Sequence, residues 1–227
     1  MRGVKAVARA IAAEGVREVF TYMSRDIIKL LADIEANGVK VYQSHHEHGA
    51  VGMADGYART SGRIGVAVVG AGVGFTNCVN ALVTAGKAHS KVIVFVGEVP
   101  GALQRSPAVR NVAKFVDQRA LLEALSIRHI VLQSPADVAA CFRLAERIGE
   151  VLVVSVPTEL VEAQSVDGLQ PARIDIPAAA GGLGEADRDT IVELLMDEAA
   201  ASRTVIDRKS TRLNSSHSQQ SRMPSSA

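Results

Sequence analysis

The chain has 227 residues, 48% hydrophobic and 22% charged, with a formal net charge of +1. That balance supports a packed core and lacks the basic excess of a nucleic-acid footprint, and no apolar run reaches the roughly 20 residues of a membrane span. Aromatic residues are 4% and tryptophan is absent, so the core must be aliphatic, which suits a parallel α/β sheet.

Residues 1–13 carry Arg2, Lys5 and Arg9 without a continuous apolar stretch. No secretory signal is expected there, and the protein is placed in the cytoplasm. Residues 4–13 read as a helix and 16–21 as a strand after Gly15. Ser24 is expected to cap a helix over 25–37 that sets Ile27, Ile28, Leu30, Leu31 and Ile34 on one face and stops at Gly38. A strand over 39–43 leads through a His-rich turn into a helix over 47–60. The uninterrupted apolar run 64–69 reads as a strand buried on both faces. Gly70-Ala71-Gly72-Val73-Gly74 follows, then a helix over 75–88 and a second buried strand over 92–96. The loop 98–111 is long enough to suggest function. A helix over 117–125, a strand over 128–132, a helix over 136–148 capped by Ser134 and a strand over 151–156 complete the pattern. The expected fold is α/β: a doubly wound, mostly parallel sheet of about six strands flanked by helices.

Residues 1–162 are assigned to this domain and 163–184 to a Pro-, Gly- and Ala-rich linker. Residues 185–206 read as the start of a second α/β domain, a helix over 185–201 and then a strand. From Asp207 the chain turns rich in Ser and Arg and loses its apolar period. Codons for Asp207–His217 and Ser221–Ala227 can be written as a common sequencing adapter. Residues 207–227 are therefore expected to be read-through, and the native gene to continue differently after Ile206.

Two motifs fall where open parallel sheets bind ligands, beyond the carboxyl ends of strands. In the first, Glu47 opens a helix rich in glycine and alanine, whose tight packing would withdraw the carboxyl from water. His45, His46 and His48 flank it, but the zinc spacing His-Glu-x-x-His is absent. They read as polar lining of a cleft rather than metal ligands. The second is the glycine loop. It approaches a dinucleotide fingerprint, with Glu98 near the place of a ribose-binding acid, but Phe75 stands where the third glycine belongs. Cys78 and Cys141 are too few and too far apart for a disulfide scaffold or a zinc site.

Taken together, HHEHGAVGMADGYARTSG and VVGAGVGFTNCVNALVTAGKAHSKVIVFVGEVPG resemble the N-terminal, pyrimidine-binding domain of thiamine diphosphate-dependent enzymes. The group is that of acetolactate synthase, benzoylformate decarboxylase and the 2-oxoacid decarboxylases. The resemblance implies that Glu47 hydrogen-bonds N1′ of the aminopyrimidine and so promotes loss of the thiazolium C2 proton. It implies that Gly72, Val73, Gly74, Thr76 and Asn77 contact the cofactor, and that His46 and Gln118 lie toward the substrate, a small 2-oxo acid. It also implies Mg2+, held with the diphosphate by a C-terminal domain not present before Ile206, so that no metal ligand is expected here. The family's site forms between two subunits of a homodimer or homotetramer. This chain would hold half of it, inactive alone. Thr21-Tyr22-Met23-Ser24 replaces a Gly-x-Pro-Gly turn and Val73 a proline, which argues against acetolactate synthesis itself. The alternatives are a nicotinamide-dinucleotide-binding domain and a catalytically silent assembly homologue.

Overall fold

The computed structural model describes residues 1–98, 115–178 and 185–197. Most of the expected loop 98–111, the strand expected over 203–206 and the segment 207–227 lie outside the described residues. The first compact unit is Met1–Pro177 and the second Ala178–Ala227.

In the first unit, helices alternate with strands: α1 (Gly3–Ala13), β1 (Glu18–Thr21), α2 (Ile28–Ala36), β2 (Lys40–Gln43), α3 (Glu47–Ser61) and β3 (Gly65–Val69). There follow α4 (Val73–Thr76), α5 (Val79–Lys87), β4 (Val92–Glu98), α6 (Gln118–Ala124) and β5 (Arg128–Val131). The unit continues with α7 (Asp137–Ile148), β6 (Leu152–Pro157) and the short α8 (Thr158–Glu162), which the sequence reading did not anticipate. The second unit contains α9 (Glu185–Met196).

The six strands form one sheet in the order β2-β1-β3-β4-β6-β5, with every pair parallel. The register sets Phe20 beside Ala67, Val68 beside Phe95, and Phe95 beside Val154. The central strands β3 and β4 are buried on both faces, as their continuous apolar runs require. The edge strands β2 and β5 are short and largely exposed.

Alternation along the strands divides the core between the two faces. Val19, Val66, Val68, Ile93, Phe95, Leu152 and Val154 meet α1, α2 and α7. Phe20, Ala67, Val69, Val92, Val94, Val96 and Val153 meet α3, α4, α5 and α6. On the second face α3 lies so close to β3 that a Cβ on Gly65 would stand 2.0 Å from Ala54 O. A glycine at this strand start is the condition for that contact.

Four local expectations are corrected. Ile28 does not share the buried face of α2: it is 43% exposed, because the helical turn that points Ile27, Leu30, Leu31 and Ile34 inward carries it to the flank. Ser24 does not cap α2 with its side chain. Its carbonyl accepts from Ile27 N at 3.1 Å, while its hydroxyl bonds to the Asp26 carboxylate. Ser134 does not cap α7 with its hydroxyl either. The buried Asp137 turns back instead and accepts from Gln133 N at 2.7 Å and Ser134 N at 2.8 Å. The Ser134 hydroxyl itself has no hydrogen-bond partner among the described residues. Finally, the helix expected over 75–88 is two helices. Thr76 Oγ1 takes Val73 O at 2.8 Å, and Cys78 N reaches three residues back to Phe75 O at 2.9 Å, which tightens the chain between α4 and α5.

Residues beyond α8 are strapped to this unit. Gly3 N donates to Ala163 O at 2.8 Å, Ala172 N donates to Asp137 Oδ1 at 2.7 Å, and Ile174 and Ile176 pack on the first core. The segment read as a linker thus divides, its first part lying within the compact unit that ends at Pro177.

Candidate active site

The strand order reverses at β1: the chain passes to β2 on one side and returns to β3 on the other. Such a switch point opens a crevice between the two connections, at the carboxyl ends of the strands. The connections that diverge there are residues 22–27 after β1 and the glycine loop that leads from β3 into α4, and the turn Ser44–His46 that leads into α3 lies at the same end of the sheet, beyond β2.

The turn is held to β1. Ser44 N donates to Thr21 O at 2.8 Å, and Ser44 Oγ donates to His46 O at 2.7 Å. His46 is extended and caps α3, its Nδ1 accepting from His48 N at 3.2 Å. Glu47 is the first residue of α3 and only 7% exposed, while His45, His46 and His48 are exposed. The helix start favours an acid here, and burial on the alanine-lined second core aims it inward.

Two residues of the facing loop receive the carboxyl. Asn77 Nδ2 donates to Glu47 Oε2 at 3.0 Å. A Cβ on Gly74 would stand 2.9 Å from Glu47 Oε1, so that oxygen occupies the space a side chain would fill. No other donor among the described residues reaches the carboxyl. Gly72 has φ +68°, ψ −120°, a conformation that excludes an ordinary side chain. Val73 projects outward, 56% exposed. Beneath the loop, Cys78 Sγ donates to Gly74 O at 3.4 Å, and burial, with the Glu47 charge adding to it, pushes its thiol up to about 12. Cys78 therefore stays a neutral thiol, not a nucleophile.

A second carboxylate braces the loop from the other core. Asp26 Oδ2 accepts from Ala71 N at 2.8 Å, and Ser24 Oγ donates to Asp26 Oδ1. A Cβ on Gly70 would meet Ser24 Oγ at 2.6 Å, and one on Gly97 would meet Asp26 Oδ2 at 2.5 Å. The sequence reading missed Asp26. The available signal was an acid two residues beyond Ser24, in the connection that leaves β1.

Of the residues singled out from the sequence, the structure thus brings together Glu47, Gly74 and Asn77, with Gly72 and Val73 in the same loop. Thr76 spends its hydroxyl on Val73 O. Gln118 lies at the start of α6, 5% exposed, with Nε2 donating to Gly97 O at 3.3 Å and to Ser155 Oγ at 3.5 Å. Its Oε1 is buried without a hydrogen-bond partner among the described residues. Ser155 also bonds His129 Nε2 at 2.8 Å, and burial, with Arg119 second, lowers the His129 pKa. No group of three or more His, Cys, Asp or Glu among the described residues could hold a metal ion.

The geometry separates the two cofactor readings of the loop. A dinucleotide pyrophosphate needs a cradle of backbone N–H groups at a helix N-terminus, free of negative charge. Here Glu47 lies against the loop, Asp26 occupies the Ala71 N–H, α4 is only four residues long, and Phe75 is fully buried in the core. A neutral, flat, hydrogen-bonding ring fits this floor and acid, whereas a diphosphate does not.

Comparison with known proteins agrees. Residues 1–121 match the family model described as thiamine pyrophosphate enzyme, N-terminal TPP binding domain. The chain is 36% identical to 2-hydroxyacyl-CoA lyase 2 of Homo sapiens over 143 residues, 63% of this chain and 22% of that protein. It is 27% identical to a probable acetolactate synthase large subunit of Methanocaldococcus jannaschii over 184 residues, 78% of this chain and 30% of that one. With sulfoacetaldehyde acetyltransferase of Castellaniella defragrans it shares 37% identity over 94 residues, 41% and 16% of the two chains. The match spans no more than 30% of the length of any of these three relatives. A buried acid over a glycine floor at the carboxyl end of the sheet, and a family match across the elements that build it, together show that the chain belongs to the thiamine pyrophosphate enzymes, as their N-terminal TPP-binding domain.

Proposed function

We propose that this domain supplies the pyrimidine-binding half of the site in an enzyme that makes or breaks a carbon–carbon bond next to a carbonyl, a 2-oxoacid decarboxylase or a carboligase. The observation that carries the proposal is the Glu47 carboxyl, buried at the head of α3, fixed by Asn77 and seated over Gly74. When bound, the cofactor supplies an electron sink for negative charge that develops beside a carbonyl.

The chain's own residues have three tasks. Glu47 presents its buried carboxyl to the aminopyrimidine N1′ as the partner for a proton exchanged there. Asn77 occupies Oε2 and leaves Oε1 to face the ring. The Gly72–Gly74 backbone provides a floor without side chains on which a flat ring can lie. Neither carboxylate at the crevice can accept a diphosphate, so that group and its Mg2+ are assigned to another domain, contributed by a second subunit of a homodimer or homotetramer. The relatives named above act as lyase, synthase and acetyltransferase, which supports a small carbonyl substrate, such as a 2-oxo acid. His46, on the exposed rim, and Gln118 are kept as substrate-side residues. A cradle this fully built also argues against a silent assembly homologue.

The test uses the full-length enzyme that contains this domain. Glu47→Gln should slow C2 proton exchange of bound thiamine diphosphate at least about a hundredfold, the scale expected when a general acid–base group is removed. Unchanged exchange would remove Glu47 from the mechanism. Tight NADH binding without thiamine diphosphate binding would favour the dinucleotide reading.

A further inference from the structure

Gly74 is vacated for Glu47, but Gly70 and Gly97 are vacated for a different pair. A side chain at either would collide with Ser24 Oγ or Asp26 Oδ2, at 2.6 and 2.5 Å. These two glycines end or nearly end neighbouring central strands, β3 and β4, on which a β-branched residue would otherwise be favoured. The space they leave admits the connection from β1, so that Asp26 can reach the Ala71 N–H. Ala71 is 6% exposed, so its donor would be buried and unsatisfied without that carboxylate.

From Ala71 a short chain of bonds runs to the acid of the site. Gly72 holds its positive φ, and its carbonyl accepts from Thr76 N at 3.0 Å. Val73 O accepts from Asn77 N at 3.1 Å, and the Asn77 side chain donates to Glu47. The orientation of the Ala71 peptide therefore sets where α4 starts, and α4 sets where the Asn77 amide stands.

We propose that Asp26 is a positioning residue for the cofactor cradle: by accepting the Ala71 N–H it fixes the glycine loop, and through Asn77 it fixes the Glu47 carboxyl. The proposal deepens the functional reading above and rests on it for its purpose, but the brace itself can be measured without cofactor. What matters is an acceptor at that place. Asp26→Asn keeps an acceptor oxygen for Ala71 N–H, and its amide can donate to Ser24 in place of receiving the serine's proton. Asp26→Ala keeps nothing. Gly97→Ala leaves Asp26 in place but forces its carboxylate away.

The experiment is amide hydrogen exchange and side-chain amide NMR on the 15N-labelled 227-residue chain. In Asp26→Ala the Ala71 N–H should exchange about tenfold faster or more, on the scale of a lost charge-assisted hydrogen bond. The Asn77 side-chain amide should shift, while Val94 in the central strand keeps its rate. Asp26→Asn should restore both signals. Gly97→Ala should reproduce Asp26→Ala, and the double variant should be no worse than either alone. As a ligand readout, 4-amino-5-hydroxymethyl-2-methylpyrimidine should bind Asp26→Ala about fivefold more weakly or worse, and Asp26→Asn within about twofold of wild type. Two results overturn the brace: an Ala71 amide still protected in Asp26→Ala with Asn77 unmoved, or an Asp26→Asn chain as disturbed as Asp26→Ala. Failure of the wild-type chain to bind the pyrimidine counts against the cofactor reading instead, and the exchange rates alone then decide the brace.

Discussion

At the scale of single residues, the glycines of this chain are of two kinds, and substitution should separate them. A Cβ on Gly74 would stand 2.9 Å from Glu47 Oε1, whereas nothing lies within 4 Å of the same position on Gly52, in the exposed middle of α3. Gly52→Ala should stabilise the chain by about 0.5–1 kcal/mol, the ordinary helix preference. Gly74→Ala should give no such gain and should displace the Asn77 side-chain amide signal, which thermal unfolding and NMR of the two variants would show. An equal gain in both would mean that the acid does not rest on the loop. Glu47, Gly74 and Asn77 were legible in the sequence because a short motif fixes each beside a strand end. Asp26 was not, because its partner Ala71 lies 45 residues away and an acid two residues beyond Ser24 does not by itself mark a contact made with a distant loop. Asp137 was overlooked for a different reason: Ser134 offered a plausible local cap, and no pattern in the sequence marks a carboxylate that turns back to the Gln133 and Ser134 N–H groups.

At the scale of elements, α6 is pinned over the sheet by polar contacts within an otherwise aliphatic layer. Gln118 joins Gly97 O to Ser155, and Ser155 joins His129 on the edge strand. Burial lowers the His129 pKa in the folded chain, so as pH falls the unfolded chain takes up that proton first. The contribution of neutral His129 is full above its unfolded value near 6.5 and is lost as pH drops through the window below it. Urea unfolding at pH 7.5 and 5.5 should show a larger loss on acidification for the wild-type chain than for His129→Gln. Equal losses would exclude His129 as a source of the acid sensitivity. The six strands of the first unit and most of its helices were read correctly because their apolar patterns are strong. The break between α4 and α5 escaped because Thr76 and Cys78 carry no sequence signature of a tightened turn, and α8 because five residues are too few for a period to show.

At the scale of the whole molecule, the first compact unit should be more stable when cut at Pro177 than when cut at Glu162. The longer piece keeps the bond from Ala172 N to Asp137 and the packing of Ile174 and Ile176. Losing them should cost roughly 3 kcal/mol, from a charge-assisted hydrogen bond and two half-buried side chains. Residues 1–162 should therefore melt about 10 °C below residues 1–177. Equal melting temperatures would show that the strap contributes nothing. The parallel sheet itself was legible from alternating periods, whereas its order was not, since strand neighbours depend on contacts between distant segments. One consequence concerns descent. Gly97 and Asp26 share a single volume, so the two positions cannot drift independently as the lineage diverges. Relatives that have gained a side chain where Gly97 stands should have surrendered the acid at the other position, and must then steady their loop by some different means.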